Sequence, residues 1–176
     1  MLNSKDLLIL SKELFSNDIK EYLLKLDRQN KELLLYKSVS VMEIRKHYSL
    51  REDYDLNRVL GYKLVREFPC IFGGNETPTP EGFFTIIFKS SDEYISHYYG
   101  KNRPVKFFGY FVMFEDYFIH SELYSVDTKR CEINSETGKN NRIGNLDSST
   151  KGCVRISQDD LDWLLEKIEV GTMVIL

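Results

Sequence analysis

The spacing of apolar positions changes along the chain, and the change divides it into segments. Over residues 3 to about 28, Leu7, Leu8, Leu14, Phe15, Ile19, Tyr22, Leu23 and Leu26 recur at intervals of three and four, the period of a helix with one apolar face. This predicts a helical region that divides at Ser16-Asn17, with Asp18 and Glu21 as a capping pair for its second half. Residues 1–30 are therefore expected to form an amphipathic helical extension, packed on the domain or offered to a partner.

From Glu32 onward the period shortens. LLLYK, YKLVREFPCIF, GFFTIIF, VKFFGYFVMF and YFIHSEL are short runs rich in aromatic and branched side chains, separated by turn formers, and read as strands. The charged stretch Val41 to Leu60 and the polar stretch Ser90 to Pro104 read as connections. Further on, Ser157 precedes Gln158, Asp159 and Asp160 and the apolar set Leu161, Leu164, Leu165 and Ile168, a capped helix start, with Gly171 expected to close the helix and TMVIL to follow as a buried strand. The expected fold class is mainly β with few helices over residues 31–176, preceded by the helical extension.

A chain of 176 residues supports one real core. Lysine plus arginine (24) and aspartate plus glutamate (27) nearly balance and are interspersed, so no face is expected to attract nucleic acid or anionic lipid. The apolar run Leu7 to Leu10 is too short for a signal-peptide core or a membrane span. Cys70, Cys131 and Cys153 are odd in number and widely spaced, which fits neither a disulfide framework nor a paired-cysteine zinc site. No metal ligand set and no cofactor is implied.

The three thiols have different surroundings. Cys70 lies in an apolar run and is expected in the core, whereas Cys131, between Arg130 and Glu132, is expected as an exposed loop thiol. Cys153 follows SSTKG, where Gly152 permits close backbone approach and successive amides can face a developing oxyanion. Lys151 and Arg155 flank it, and nearby positive charge favours the thiolate. Among the three histidines, His47 and His97 sit in polar segments and read as solvated, while His120 ends the strand-like YFIH and is the candidate base. A satisfied structural histidine is the other reading of that position.

The segments IHSELY and RIGNLDSSTKGCVRI together resemble the His-to-Cys signature of L,D-transpeptidase (YkuD-type) catalytic domains, whose motif ends in S-H-G-C-[VI]-R or a close variant. Here it stands as Thr150-Lys151-Gly152-Cys153-Val154-Arg155. FPCIFGGNETPTPEGFFTI resembles the family's strand, glycine and T-P-x-G element (Thr79 to Ile86), and SQDDLDWLLEKIEVGTMVIL its closing helix, valine-glycine-threonine turn and last strand. Two departures are Lys151, where the family often has histidine, and a polar insert from Ser125 to Asn141 placed to act as a lid.

The resemblance implies a β-sandwich-like domain, an extracytoplasmic cell-wall location, and peptidoglycan stem peptides as substrate. It implies that Cys153 attacks the carbonyl after the third stem residue and releases a D-amino acid, and that an amine of a neighbouring stem resolves the thioester as a 3→3 cross-link. His120 would be the general base, amides around Gly152 and Cys153 the oxyanion hole, and Thr150 and Ser121 hydrogen-bonding groups that orient the pair. Arg155 would hold the loop or bind a stem carboxylate. Water as acceptor would make the same site an L,D-carboxypeptidase; a non-catalytic cell-wall-binding module and an intracellular cysteine hydrolase on another fold are the remaining rivals.

Overall fold

A computed structural model describes residues 5–15, 19–53, 55–97, 101–102, 104–115, 117–130 and 149–176. Among them, two sheets form. The larger has the strand order β1 (Leu7–Ser11), β4 (Val59–Pro69), β3 (Glu32–Val39), β2 (Tyr22–Asp27), β10 (Met173–Ile175) and β5 (Phe83–Thr85). The smaller has the order β6 (Phe88–Ser96), β7 (Val105–Phe114), β8 (Tyr117–His120) and β9 (Val154–Arg155). Helices α1 (Val41–Tyr48) and α2 (Gln158–Lys167) complete a mainly β architecture.

One apolar core joins the two sheets. It gathers Leu24, Leu26, Leu33, Leu35 and Val174 from the larger sheet, Phe111, Ile119 and Val154 from the smaller, and Leu161, Leu164 and Ile168 at α2. The opposite face of the larger sheet is covered too: Leu23, Leu34, Tyr36 and Tyr62 are buried there with Leu8 and Leu10, and Phe15 stacks on Tyr62 at 5.9 Å. A strand buried on both faces is apolar at consecutive positions rather than alternate ones. That is why LLLYK carries four buried residues in a row, from Leu33 to Tyr36.

The same property corrects the helical extension expected over residues 1–30. Leu7–Ser11 and Tyr22–Asp27 are strands, β1 antiparallel to β4, and β2 between β3 and β10. Short apolar runs of doubly buried strands imitate a three-and-four spacing when two of them stand close in sequence, and periodicity alone does not separate the cases. Ser11 does cap a short helix, but it is the 3-10 turn Lys12–Leu14. Asp18 and the division at Ser16-Asn17 lie outside the described residues. A boundary at residue 30 would cut the β2–β3 hairpin, whose turn is held by Asp27 accepting from the amides of Gln29 and Asn30 at 3.1 Å.

Two stretches expected as connections are also regular. Val41–Tyr48 is α1, opened by a capping box in which Ser40 Oγ accepts from the Glu43 amide and Glu43 accepts from the Ser40 amide. Only Ile44 of α1 is buried, which explains why no apolar stripe advertised it. Ser90 to Ser96 continue β6, an edge strand whose exposed polar face hides the β pattern. Helix α2 begins at the Ser157 cap as expected, but it ends at Lys167 with Ile168 as its C-cap, and Gly171 (φ +93) serves the following turn.

Leu24 tests whether the first thirty residues are integral. It is fully buried in β2, so Leu24→Ala is expected to cost about 2–5 kcal/mol in urea unfolding. A loss within about 0.5 kcal/mol, typical of a surface position, would mean that the segment is detachable.

Candidate active site

β8 and β9 lie parallel with only two residue pairs in register, Ile119 with Val154 and His120 with Arg155. Ile119 and Val154 point into the core between the sheets. Alternation along a strand therefore puts His120, Arg155 and Cys153 on the other face of the smaller sheet. That face carries a cavity of about 400 Å³, and Cys153, His120, Arg155, Thr150 and Lys151 all line it.

The loop before Cys153 is pinned from the T-P-x-G segment. Buried Thr79 accepts from the Gly73 amide and donates through Oγ1 to the Gly152 carbonyl, both at 2.8 Å. Thr77 Oγ1 donates to the Thr150 carbonyl, and Thr150 Oγ1 accepts from the Gly152 amide at 3.2 Å while donating to the Cys153 carbonyl. Behind them, the backbones of Arg155 and Ile71 exchange two hydrogen bonds at 2.8 and 3.0 Å. Gly152 adopts φ +106, and a Cβ there would stand 2.6 Å from the Tyr117 ring, so glycine is required twice over. On the far side Arg28, from the β2–β3 turn, donates to the carbonyls of Thr79 and Pro80 at 3.0 Å.

His120 is held in one orientation. Its ring stacks on Phe107 with centroids 4.3 Å apart, and Nδ1 lies 2.6 Å from the Ser121 carbonyl. A carbonyl only accepts, so Nδ1 carries the proton and Nε2 keeps its lone pair. Burial, with the Arg155 guanidinium adding to it and the Ser121 bond opposing, pushes the imidazole pKa down to about 3. The side chain is only 4% exposed, and its charged form is disfavoured throughout the neutral range.

The profile of the YkuD family, described as the L,D-transpeptidase catalytic domain, matches residues 52–176. The chain belongs to this family. Among solved structures the fold is similar to an L,D-transpeptidase from Mycobacterium smegmatis (16% identity, TM-score 0.52, 88% of this chain and 58% of that one). It is also similar to L,D-transpeptidase 3 from Mycobacterium tuberculosis (15%, 0.53, 88% and 60%) and to an Enterococcus faecium L,D-transpeptidase (16%, 0.51, 89% and 50%). The chain thus spans about half to three-fifths of the length of these structures. No curated protein matches it.

Within this L,D-transpeptidase domain, the predicted residues do not all stand as expected. The Ser121 hydroxyl bridges the Phe108 amide and the Glu122 carbonyl, so its backbone oxygen rather than its side chain holds the histidine. Thr150 braces the backbone on both sides of Cys153, and the Gly152 amide is committed to Thr150 Oγ1. His97, read as a solvated connector, lines the same cavity as Cys153, while His47 lies in α1. Cys70 is buried as expected, with burial pushing its thiol up to about 12; Cys131 and most of the Ser125–Asn141 insert lie outside the described residues. Sequence reasoning missed Thr79 as a loop anchor, although it stood in the quoted motif, and missed Phe107 and Tyr117, which looked like ordinary strand aromatics.

Two expectations follow. Thr79→Val leaves the Gly73 amide and the Gly152 carbonyl without their buried partner and is expected to cost about 1–3 kcal/mol by chemical denaturation. For His120, the unfolded chain binds a proton between pH 6.5 and about 3 that the folded chain refuses, so this group's stabilising contribution is full above pH 6.5 and is lost as pH falls toward 3. Thermal unfolding of His120→Gln should show a flatter pH dependence in that window; curves parallel to wild type would refute the assignment.

Proposed function

We propose that the chain is a peptidoglycan L,D-transpeptidase that forms 3→3 cross-links through a thioester on Cys153, with His120 as general base. The observation that carries the reading is the placement of a half-exposed thiol and a neutral, oriented imidazole on one wall of a cavity, inside a domain of this family. Cys153 Sγ attacks the carbonyl between the third and fourth stem residues while Nε2 of His120 accepts the thiol proton. Backbone amides of the loop that carries Cys153 are the donors for the oxyanion. The imidazolium then protonates the leaving amine of the D-residue, and the neutral imidazole next deprotonates the incoming amine of a second stem as it attacks the thioester.

The burial of His120 bears on timing. An imidazolium is costly beside Arg155 in this pocket, which favours a neutral resting imidazole, the proton moving as the carbon–sulfur bond forms. Arg155, buried on the cavity wall, and Lys151 at the rim supply positive charge suited to a stem carboxylate. This chemistry places the protein outside the cytoplasm, at the cell wall. Among the described residues no helix is long and apolar enough to cross a membrane.

Intact-mass spectrometry after incubation with tetrapeptide-bearing muropeptides tests nucleophile and substrate together. The wild type is expected to carry a thioester adduct and to yield 3→3 dimers, Cys153→Ala to carry none, and His120→Ala to acylate at least about 100-fold more slowly. Tripeptide products without dimers would assign the carboxypeptidase reaction instead. Wild-type protein that neither forms an adduct nor turns substrate over would leave only a binding role. A carbapenem in place of the muropeptide provides an independent acylating probe of the same thiol.

The pH profile offers a second check. With His120 deprotonated down to about pH 3, the acid limb of kcat/KM is expected well below pH 6. An acid limb near 6.5 would show a histidine titrating in contact with solvent.

A further inference from the structure

The face of the smaller sheet that bears Cys153 continues past the cavity as an aromatic surface. Tyr94 on β6, Phe107 and Tyr110 on β7 and Phe118 on β8 form one cluster, with ring centroids 5.1 to 6.1 Å apart and mostly tilted or edge-on. Phe88, 50% exposed, extends it from Tyr110 at 6.0 Å. These rings face away from the core because their strand neighbours Phe108, Phe111 and Ile119 are the inward residues, and Gly109 (φ +79) makes the bulge that keeps both Phe107 and Tyr110 outward. Phe107 is buried beneath the others, whereas Tyr94, Tyr110 and Phe118 remain half-exposed. Tyr94, Phe107 and Phe118 also line the cavity, so surface and cavity are continuous.

We propose that this surface is a second subsite that binds the glycan to which the stem peptide is attached, through the apolar C–H faces of its sugar rings. The proposal rests on the transpeptidase reading and deepens it. Polarised C–H bonds of a pyranose meet the negative face of an aromatic ring favourably, and the tyrosine hydroxyls add polar handles for N-acetyl and hydroxyl groups. Lys151 and Arg155, the cations of the cavity lining, flank Cys153 in the chain, whereas the cluster's own lining residues, Tyr94, Phe107 and Phe118, are uncharged, as an uncharged sugar requires.

Distance supports the same occupant. Strands lie about 4.8 Å apart, so β7 and β6 stand roughly 10 and 14 Å from β9, next to which Cys153 lies. Three extended residues span about 10 Å. A stem whose third carbonyl meets Cys153, running across the strands, therefore brings its sugar end over Tyr110 and Tyr94. A free peptide would leave those rings bare.

The test compares a tetrapeptide stem alone with the same stem carried on its N-acetylated disaccharide. Wild type is expected to show kcat/KM about tenfold higher for the disaccharide form, carried in KM. Tyr110→Leu and, at a half-exposed ring, Phe88→Ser are expected to bring the ratio below about threefold. Reading a ratio cancels any loss of active protein in either variant. Equal rates for the two substrates in wild type, or a preference that survives both substitutions, would overturn the glycan subsite while leaving the transpeptidase reading intact. Turnover of neither substrate would remove both.

Discussion

The parallel pairing of β8 with β9 is the constraint from which the rest of the site follows. Two residue pairs set Ile119 and Val154 inward and His120 and Arg155 outward, and Cys153 inherits its face from Arg155 two positions on. A shift of one residue in that register would leave the histidine and the thiol on opposite faces of the sheet. So short a pairing needs outside support. It comes from Ile71, hydrogen-bonded to the Arg155 backbone, and from the buried hydroxyl of Thr79, which ties Gly73 to Gly152. Ile71, Gly73 and Thr79 belong to the connection between β4 and β5 of the larger sheet, whereas β8 and β9 belong to the smaller, so the position of the thiol depends on how the sheets are packed.

The histidine's ring is fixed by a second set of contacts. Stacking on Phe107 sets the plane of the ring, and the Ser121 carbonyl sets its tautomer. Burial then removes the charged state as a resting form. An imidazole of this kind has low proton affinity and little freedom to reorient, so any proton transfer through it would depend on its placement rather than on strong basicity. The aromatic cluster around Phe107 gives it that placement, and the half-exposed outer rings of the same cluster leave a surface beside the cavity.

The candidate site residues were legible in the sequence because their chemistry is local. Glycine before cysteine, histidine at the end of a strand and threonine-proline before a glycine are short patterns with direct backbone causes, and the structure brings those segments together. The fold was less legible where burial erased the pattern. In β1 and β2 both faces are covered, so the two-residue period disappears and the leucines imitate a helix. In α1 a single buried side chain left no stripe, although Ser40 and Glu43 spelled the capping box. The aromatics beside the site were hidden for the opposite reason: Phe107, Tyr110, Tyr117 and Phe118 look like any strand residues until the sheet shows which side they occupy.

The place of β10 bears on how the molecule comes into being. Residues 173–175 pair in parallel with 23–25 and antiparallel with 83–85, so β10 is the strand that links β5 to the other four strands of the larger sheet. Such pairings have high contact order and form slowly, after much loop entropy has been lost. During synthesis, β1 to β4 can associate early, whereas β5 has to wait for β10, and the helix and loop that follow β8 must be made before β10 exists. A nascent chain halted before residue 173 therefore carries its thiol on a scaffold whose β5 has yet to find its partner strand.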